Sequence, residues 1–216
     1  MEPVLARLDL IEVERSRPGS RGLQKRARFI PRLQEPLTQL DFIVDGTSVL
    51  QRVLSVDLPL PYGLNGSQFV SVADLAWPEP SALSLQQLLG ALERGADWDL
   101  LEPGRLPLYG CPECGDLYCG ALTVAVTREV DPADGRELVR WTDLRCEDAH
   151  TPAEEMPDLS SAGSFTFDAA QYDSTLRSAL RLMEDLTQDE QQAEAAWKAR
   201  RRSRGRLRRL LAPRSR

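Results

Sequence analysis

Apolar positions along the chain change their spacing several times, and each change predicts an element. Leu5–Val13 alternates in part and predicts a strand. Asp41–Val53 holds two apolar runs around Asp45-Gly46. That pair suits a type I′ turn, whose two central residues both need positive φ, so a hairpin is expected; a helix after Gly46 is the competing reading of the second run. Pro80–Gly95 carries leucines at helical spacing, with Ser81 or Ser84 as N-cap and Gly95 as the stop. Ala121–Val130 alternates with period two, Asp131–Arg136 is turn chemistry, and Glu137–Cys146 is the return strand. Phe165–Asp168 leads into a helix over Ala169–Leu186, capped by Asp168 and striped with Tyr172, Leu176, Leu180, Leu182 and Met183. Thr187-Gln-Asp-Glu190 matches a capping box, so a second helix is expected from there toward Leu211.

Residues 15–28, 55–80 and 151–163 are rich in Pro, Gly or Ser and predict loops and a linker. The order of elements gives an α+β fold: an antiparallel sheet with hairpins, packed with a few helices, then a long C-terminal helix and a basic tail. Residues 1–186 form one expected domain, with a cysteine knuckle and hairpin at 108–148. Residues 187–216 form the C-terminal helix and tail, expected to be partly disordered.

With 216 residues, 42% apolar and 28% charged, the chain has enough material for a core. No apolar run approaches the roughly 18 residues of a membrane span. The first residues lack the basic start and apolar stretch of a signal peptide, so a cytoplasmic, reducing setting is expected. The net charge of −6 conceals an asymmetry. Ten of the 27 basic residues lie in 197–216, which has no acid, leaving 17 basic against 33 acidic residues, a net of −16, in 1–196. Any nucleic-acid affinity would therefore come from the tail, through Arg200, Arg201, Arg202, Arg204, Arg206, Arg208 and Arg209. A solvated, cationic helix end is the plainer reading of the same run.

Three of the four cysteines fall in Cys111-Pro-Glu-Cys114-Gly-Asp-Leu-Tyr-Cys119-Gly. Two thiolates three positions apart on a tight turn fit one tetrahedral zinc ion, and a closed structural site needs four ligands. Cys119 is the expected third. A hairpin in which Val126 faces Val139 or Trp141 places Cys119 and Cys146 on one face, which makes Cys146 the fourth. His150, the single histidine, is the substitute. Ordinary buried thiols and a Cys111–Cys114 redox pair are the alternatives.

Other chemistry finds little support. One histidine and no G-x-S-x-G elbow argue against a hydrolytic triad, and no Walker A or G-x-G-x-x-G motif is present. The carboxylates Glu102, Glu113, Asp116, Asp143, Glu147, Asp148, Glu154 and Glu155 are expected to be mostly solvated, and Asp143, beside Trp141 on a strand, is the one to examine. Trp77, Trp98 and Trp141 are expected in the core.

The segments CPECGDLYCG (111–120), WTDL (141–144) and FTFDAAQY (165–172) resemble an uncharacterised family of small bacterial proteins. That family carries a Cys-Pro-x-Cys-Gly knuckle, a W-[ST]-D strand and an F-x-F-D-x-x-Q-Y helix start. The resemblance spans residues 105–185 and implies that knuckle and strand belong to one unit. It brings no activity, substrate or catalytic residue. Leu144 stands where the family has an aromatic, and Cys146 is not a family position.

The expected function is a non-enzymatic interaction or adaptor protein with a structural zinc knuckle and a protein partner. The alternative is a nucleic-acid-associated protein acting through the arginine-rich tail. A thiol redox sensor using Cys111 and Cys114 is the weaker third.

Overall fold

Asp45 and Gly46 close the first hairpin with φ of 50° and 75°, the left-handed values that a type I′ turn requires. In this computed structural model, residues 4–15, 30, 37–56, 69–90, 101–102, 104–111, 119–148, 150–152 and 155–211 are described, with side chains of the last helix as far as residue 202. Strand β1 (Leu8–Arg15) pairs antiparallel with β2 (Leu37–Val44) along its whole length. After the turn, β3 is only Thr47–Ser48, and α1 follows at once as Val49–Leu54. The hairpin and helix readings of this stretch therefore each hold in part. Ser48 decides the switch: its hydroxyl accepts the Gln51 N–H, capping a helix that buries Val49 and Val53 on one face.

A second sheet has the order β4-β5-β6-β7-β8, antiparallel throughout. Its strands are β4 (Val70–Ser71), β5 (Arg105–Gly110), β6 (Ala121–Val130), β7 (Glu137–Glu147) and β8 (Phe165–Asp168). Phe165–Asp168 is thus more than a lead-in: it is an edge strand that pairs with Leu138–Trp141. Four residues are too few for a periodic signal, so cross-strand pairing, not local pattern, makes it a strand.

Helix α2 (Pro78–Leu88) begins earlier than expected. Ser81 and Ser84 do not cap it. The Ser81 hydroxyl donates to the Asp74 carbonyl and the Ser84 hydroxyl to the Pro80 carbonyl. Trp77 holds the cap position without a side-chain capping bond, and Pro78 takes the first helical position, where a missing N–H costs nothing. Gly90, with φ of 70°, follows the last turn. Gly95, the expected stop, lies outside the described residues, as do the loop at 16–28, residues 57–68 and Trp98.

Helix α3 runs unbroken from Ala169 to Leu211. Asp168 caps it as expected, its carboxylate accepting the Gln171 N–H. The second helix expected at Thr187 is a correction: the Thr187 hydroxyl donates to the Met183 carbonyl one turn back, so the box residues sit inside a continuing helix. The segment 151–163 also departs from a free linker, because Leu159 and Ala162 are buried.

The sheets and the start of α3 share one core. Trp141 is fully buried and meets Phe42, Phe167 and Tyr172 edge-on at centroid distances of 5.8, 5.2 and 5.9 Å. Its indole N–H donates to the Tyr172 hydroxyl at 3.2 Å, which in turn donates to the Leu88 carbonyl on α2. Tyr109 joins the sheets: its hydroxyl donates to Asp41 and accepts the Phe42 N–H. Burial, reinforced by the Asp41 charge, pushes the Tyr109 phenol well above its usual range.

Candidate functional site

The sequence reading pointed to the end of the β6–β7 hairpin that carries the cysteines. Its outer part follows one of the expected registers, with Val126 opposite Trp141 and Val130 opposite Glu137. Toward the cysteines the ladder slips. Ala125 pairs with Thr142, but Thr123 pairs with Arg145, so β7 holds one extra residue. Asp143 sits in that bulge with φ of 54°. A one-residue slip exchanges the faces. Cys146 therefore lies opposite Leu122, and both are fully buried in the core. The single register that brought Cys146 to the face of Cys119 does not persist to this end of the hairpin.

Burial, with help from Asp148 and Glu147, pushes the Cys146 thiol up to about 12. Such a thiol is protonated at neutral pH and a poor nucleophile. Cys111 is half-buried and Cys119 exposed. Cys114 lies outside the described residues. Strand pairing nevertheless gathers the remaining candidates at one edge. Gly110 and Glu147 both pair with Ala121, so those three positions form a row across the sheet. Cys111 is one residue beyond this row, Cys119 two, and the exposed His150 three. Among the described residues no group of three or more His, Cys, Asp or Glu is arranged to hold a metal ion.

What sits behind this edge is a charged cluster that the sequence reading missed. Arg105 at the start of β5 is 2% exposed. Its Nε donates to Glu147 at 2.9 Å, Nη1 to the Asp143 carboxylate at 2.8 Å, and Nη2 to the Asp143 carbonyl at 2.6 Å and to Thr123 at 2.9 Å. The Thr123 hydroxyl donates in turn to Glu147. On the solvent side Arg145 bridges Asp143 and Glu102. Asp143, singled out from the sequence, is thus a partner of two arginines. The positive charge of Arg105 is met by two carboxylates, and its fork grips both the side chain and the backbone of the bulge residue. The cluster fixes the bulge and leaves its own acids and bases paired with one another. A signal existed in retrospect: Arg105 heads the apolar run Leu106-Pro-Leu-Tyr109, where a charge needs a buried partner.

A shallow groove of about 570 Å³ lies at the other end of α3's body contact, lined among others by Arg136, Asp168, Asp173, Arg177 and Arg181. Its charges are mixed, and Arg177 and Arg136 already pair with Asp173 and Asp134.

The remaining candidate surface is α3 itself. Its first part packs on the body through Tyr172, Leu176, Ala179 and Met183, all buried. Beyond Met183 no residue from Glu184 to Arg202 is buried. Lys198, Arg200, Arg201 and Arg202 are exposed, and the Arg201 guanidinium lies 5.3 Å from the Trp197 ring centroid. Of the arginines at 204, 206, 208 and 209 the helical backbone is described and the side chains are not. Among the described residues no helix is long and apolar enough to cross a membrane.

No family model, no curated protein and no solved structure matches the chain.

Proposed function

We propose that this chain is a non-enzymatic interaction protein whose α+β body carries a long helix for a partner to grip. The observation that carries this reading is the division of α3. The helix has 43 residues, and among its described side chains Met183 is the last buried one and Leu186 the last apolar one packed on the core. At 1.5 Å per residue, the part beyond Met183 extends about 40 Å. A polar helix of that length gains little stability alone, and tertiary packing normally supplies most of what holds a helix in place. A partner surface is the natural source of that packing. A zinc knuckle at the strand edge belongs to the same proposal, with Cys111, Cys114 and Cys119 as ligands. The fourth ligand is better supplied by exposed His150 than by Cys146, which lies opposite Leu122 in the core.

The test is a chain ending at Leu186. It should unfold at nearly the same temperature as the full protein while losing stoichiometric complexes isolated after in-cell cross-linking. Complexes that survive the truncation, or a metal-dependent turnover by the full chain, would sink the reading. Elemental analysis tests the knuckle separately. Zinc near one per chain should persist in Cys146→Ser and fall in His150→Ala; loss in Cys146→Ser restores the four-cysteine site.

A further inference from the structure

The basic end of α3 is not neutralised by the rest of the molecule. From Lys198 to Arg209 there are eight bases and no acid, and all but Lys198 are arginines. The helical backbone runs through all of these positions. Residues 1–196 carry a net charge of −16. Yet among the described residues only Lys198 finds a carboxylate, Glu194 at 2.8 Å. Arg200 and Arg202 are exposed and meet none, and Arg201 lies over the ring of its neighbour Trp197. Within the helix the bases repel one another. Positions 198 and 202, 200 and 204, 202 and 206, and 204 and 208 are like-charge pairs four apart, each of which destabilises a helix. Gly205 weakens the same stretch. The helix dipole favours cations only within the last turn, so it does not account for a block that begins at Lys198. An external anion is the remaining source of compensation.

The dimensions of the block select among polyanions. At 1.5 Å per residue it is about 18 Å long and carries one positive charge per about 2.3 Å. Duplex DNA carries one negative charge per about 1.7 Å of its axis. With about 3.6 residues per turn, the eight positions cover about two-thirds of the helix circumference. A helix lying on a membrane keeps a broad apolar face, for which that distribution leaves no room. Inside a groove the same distribution faces phosphates on both walls. The major groove of B-DNA, about 12 Å wide, admits a helix, whereas that of A-form RNA is too deep and narrow. Arginine forks also match phosphate oxygens two at a time. The acids from Glu184 to Glu194 repel those phosphates and so confine the contact to the end of the helix.

We infer that the basic end of α3, from Lys198 to Arg209, binds duplex DNA through its phosphates by lying in the major groove. The inference goes beyond the interaction reading above and gives a ligand to a different stretch of the same helix. Phosphate contacts position a protein without reading bases, so binding should not depend on sequence. Counterion release should dominate: if five phosphates are contacted, log K falls against log salt with a slope of about −4.5.

Fluorescence anisotropy of a short labelled DNA duplex, titrated with the full chain freed of co-purified nucleic acid, tests this. Binding should be micromolar at low salt and alike for unrelated sequences. A variant with Arg200→Glu, Arg201→Glu and Arg202→Glu should bind about thirtyfold more weakly or worse, and its salt slope should shrink by about 2.7. A variant with Arg200→Lys, Arg201→Lys and Arg202→Lys keeps the charge and should stay within about fivefold of wild type. Misfolding cannot produce that contrast. No binding at low salt, an unchanged slope in the glutamate variant, or equal losses in the two variants overturns the inference. So does tighter binding to an RNA duplex of the same length, or to vesicles of phosphatidylcholine and phosphatidylserine. If DNA is not bound while cross-linked protein complexes still require the residues beyond Leu186, this inference falls and the interaction reading stands. DNA binding by a chain that forms no such complexes has the reverse meaning.

Discussion

The body and the projecting half of α3 are made by one continuous chain but held by different physics. Within the body, Tyr172 touches Trp141 and Phe167, donates to the Leu88 carbonyl, and is fully buried. Beyond Met183, Trp197 is half-buried with its ring under the guanidinium of its own helix neighbour Arg201. Two aromatic residues on the same helix thus sit in opposite surroundings. The lesson is that helix continuity does not mark the limit of the folded unit; burial does. The sharpest way to break the comparison is Tyr172→Ala, which empties a pocket between two elements and strands the Trp141 N–H. It should cost about 3–5 kcal/mol, read as a lowered midpoint in urea.

The body also contains a place where charge is expensive. Arg105→Ala removes the cation between Glu147 and Asp143, leaving Glu147, 9% exposed, without its counter-charge. A loss of about 3 kcal/mol is expected. Adding Glu147→Gln should recover part of it, because the stranded charge and not the lost contact dominates. Reversing any single charge between Glu184 and Arg202 in the isolated monomer should change stability by under about 0.5 kcal/mol. Equal costs in the two regions would show that the projecting half is not free of the body.

How much of this contrast was legible in the sequence follows the range of the forces involved. Asp45-Gly46, the Ala121–Glu147 hairpin and the Asp168 cap were readable because each is decided within a few residues. The fate of Cys146 was not. It depends on a bulge at Asp143 that Arg105 grips from 38 positions away in sequence. The hydrophobic alternation of β7 is compatible with one register or two. Likewise Thr187-Gln-Asp-Glu190 carries a true capping pattern, and nothing local records that the helix arriving from Ala169 does not end there. β8 was hidden for the reverse reason: its pairing is tertiary and its length too short for periodicity. The asymmetry of charge in α3 was visible, and the sequence read the basic run first as a solvated helix end and second as a nucleic-acid arm; that both blocks lie on one unbroken helix was not visible.

Alkaline pH probes the body alone. The Cys146 thiol is pushed up to about 12, and burial raises the phenols of Tyr109 and Tyr172 as well. In the unfolded chain a thiol ionises near pH 8.5 and a phenol near pH 10. Above about pH 8.5 the unfolded state therefore binds fewer protons than the native state, and stability falls as pH rises. Stability gained from these groups is complete below the unfolded values. Cys146→Ala should remove the earliest part of the decline, reducing the loss between pH 8 and 10 by about 1–2 kcal/mol. An unchanged slope would mean that the thiol ionises alike in the folded and unfolded chain, and hence that Cys146 is not held in the core.

The smallest effect is the most diagnostic. Trp197→Ala should shift the unfolding midpoint by under about 1 kcal/mol, because Trp197 is only half-buried. If a partner grips this half of the helix, the same change should instead lower the yield of the cross-linked complex that truncation at Leu186 removes. Urea midpoints and cross-linking yields measured side by side separate the cases. An unchanged yield would leave Trp197 outside the partner's grip. A large loss of stability would instead place Trp197 against the body, and the boundary of the packed part of α3 would have to move outward along the helix.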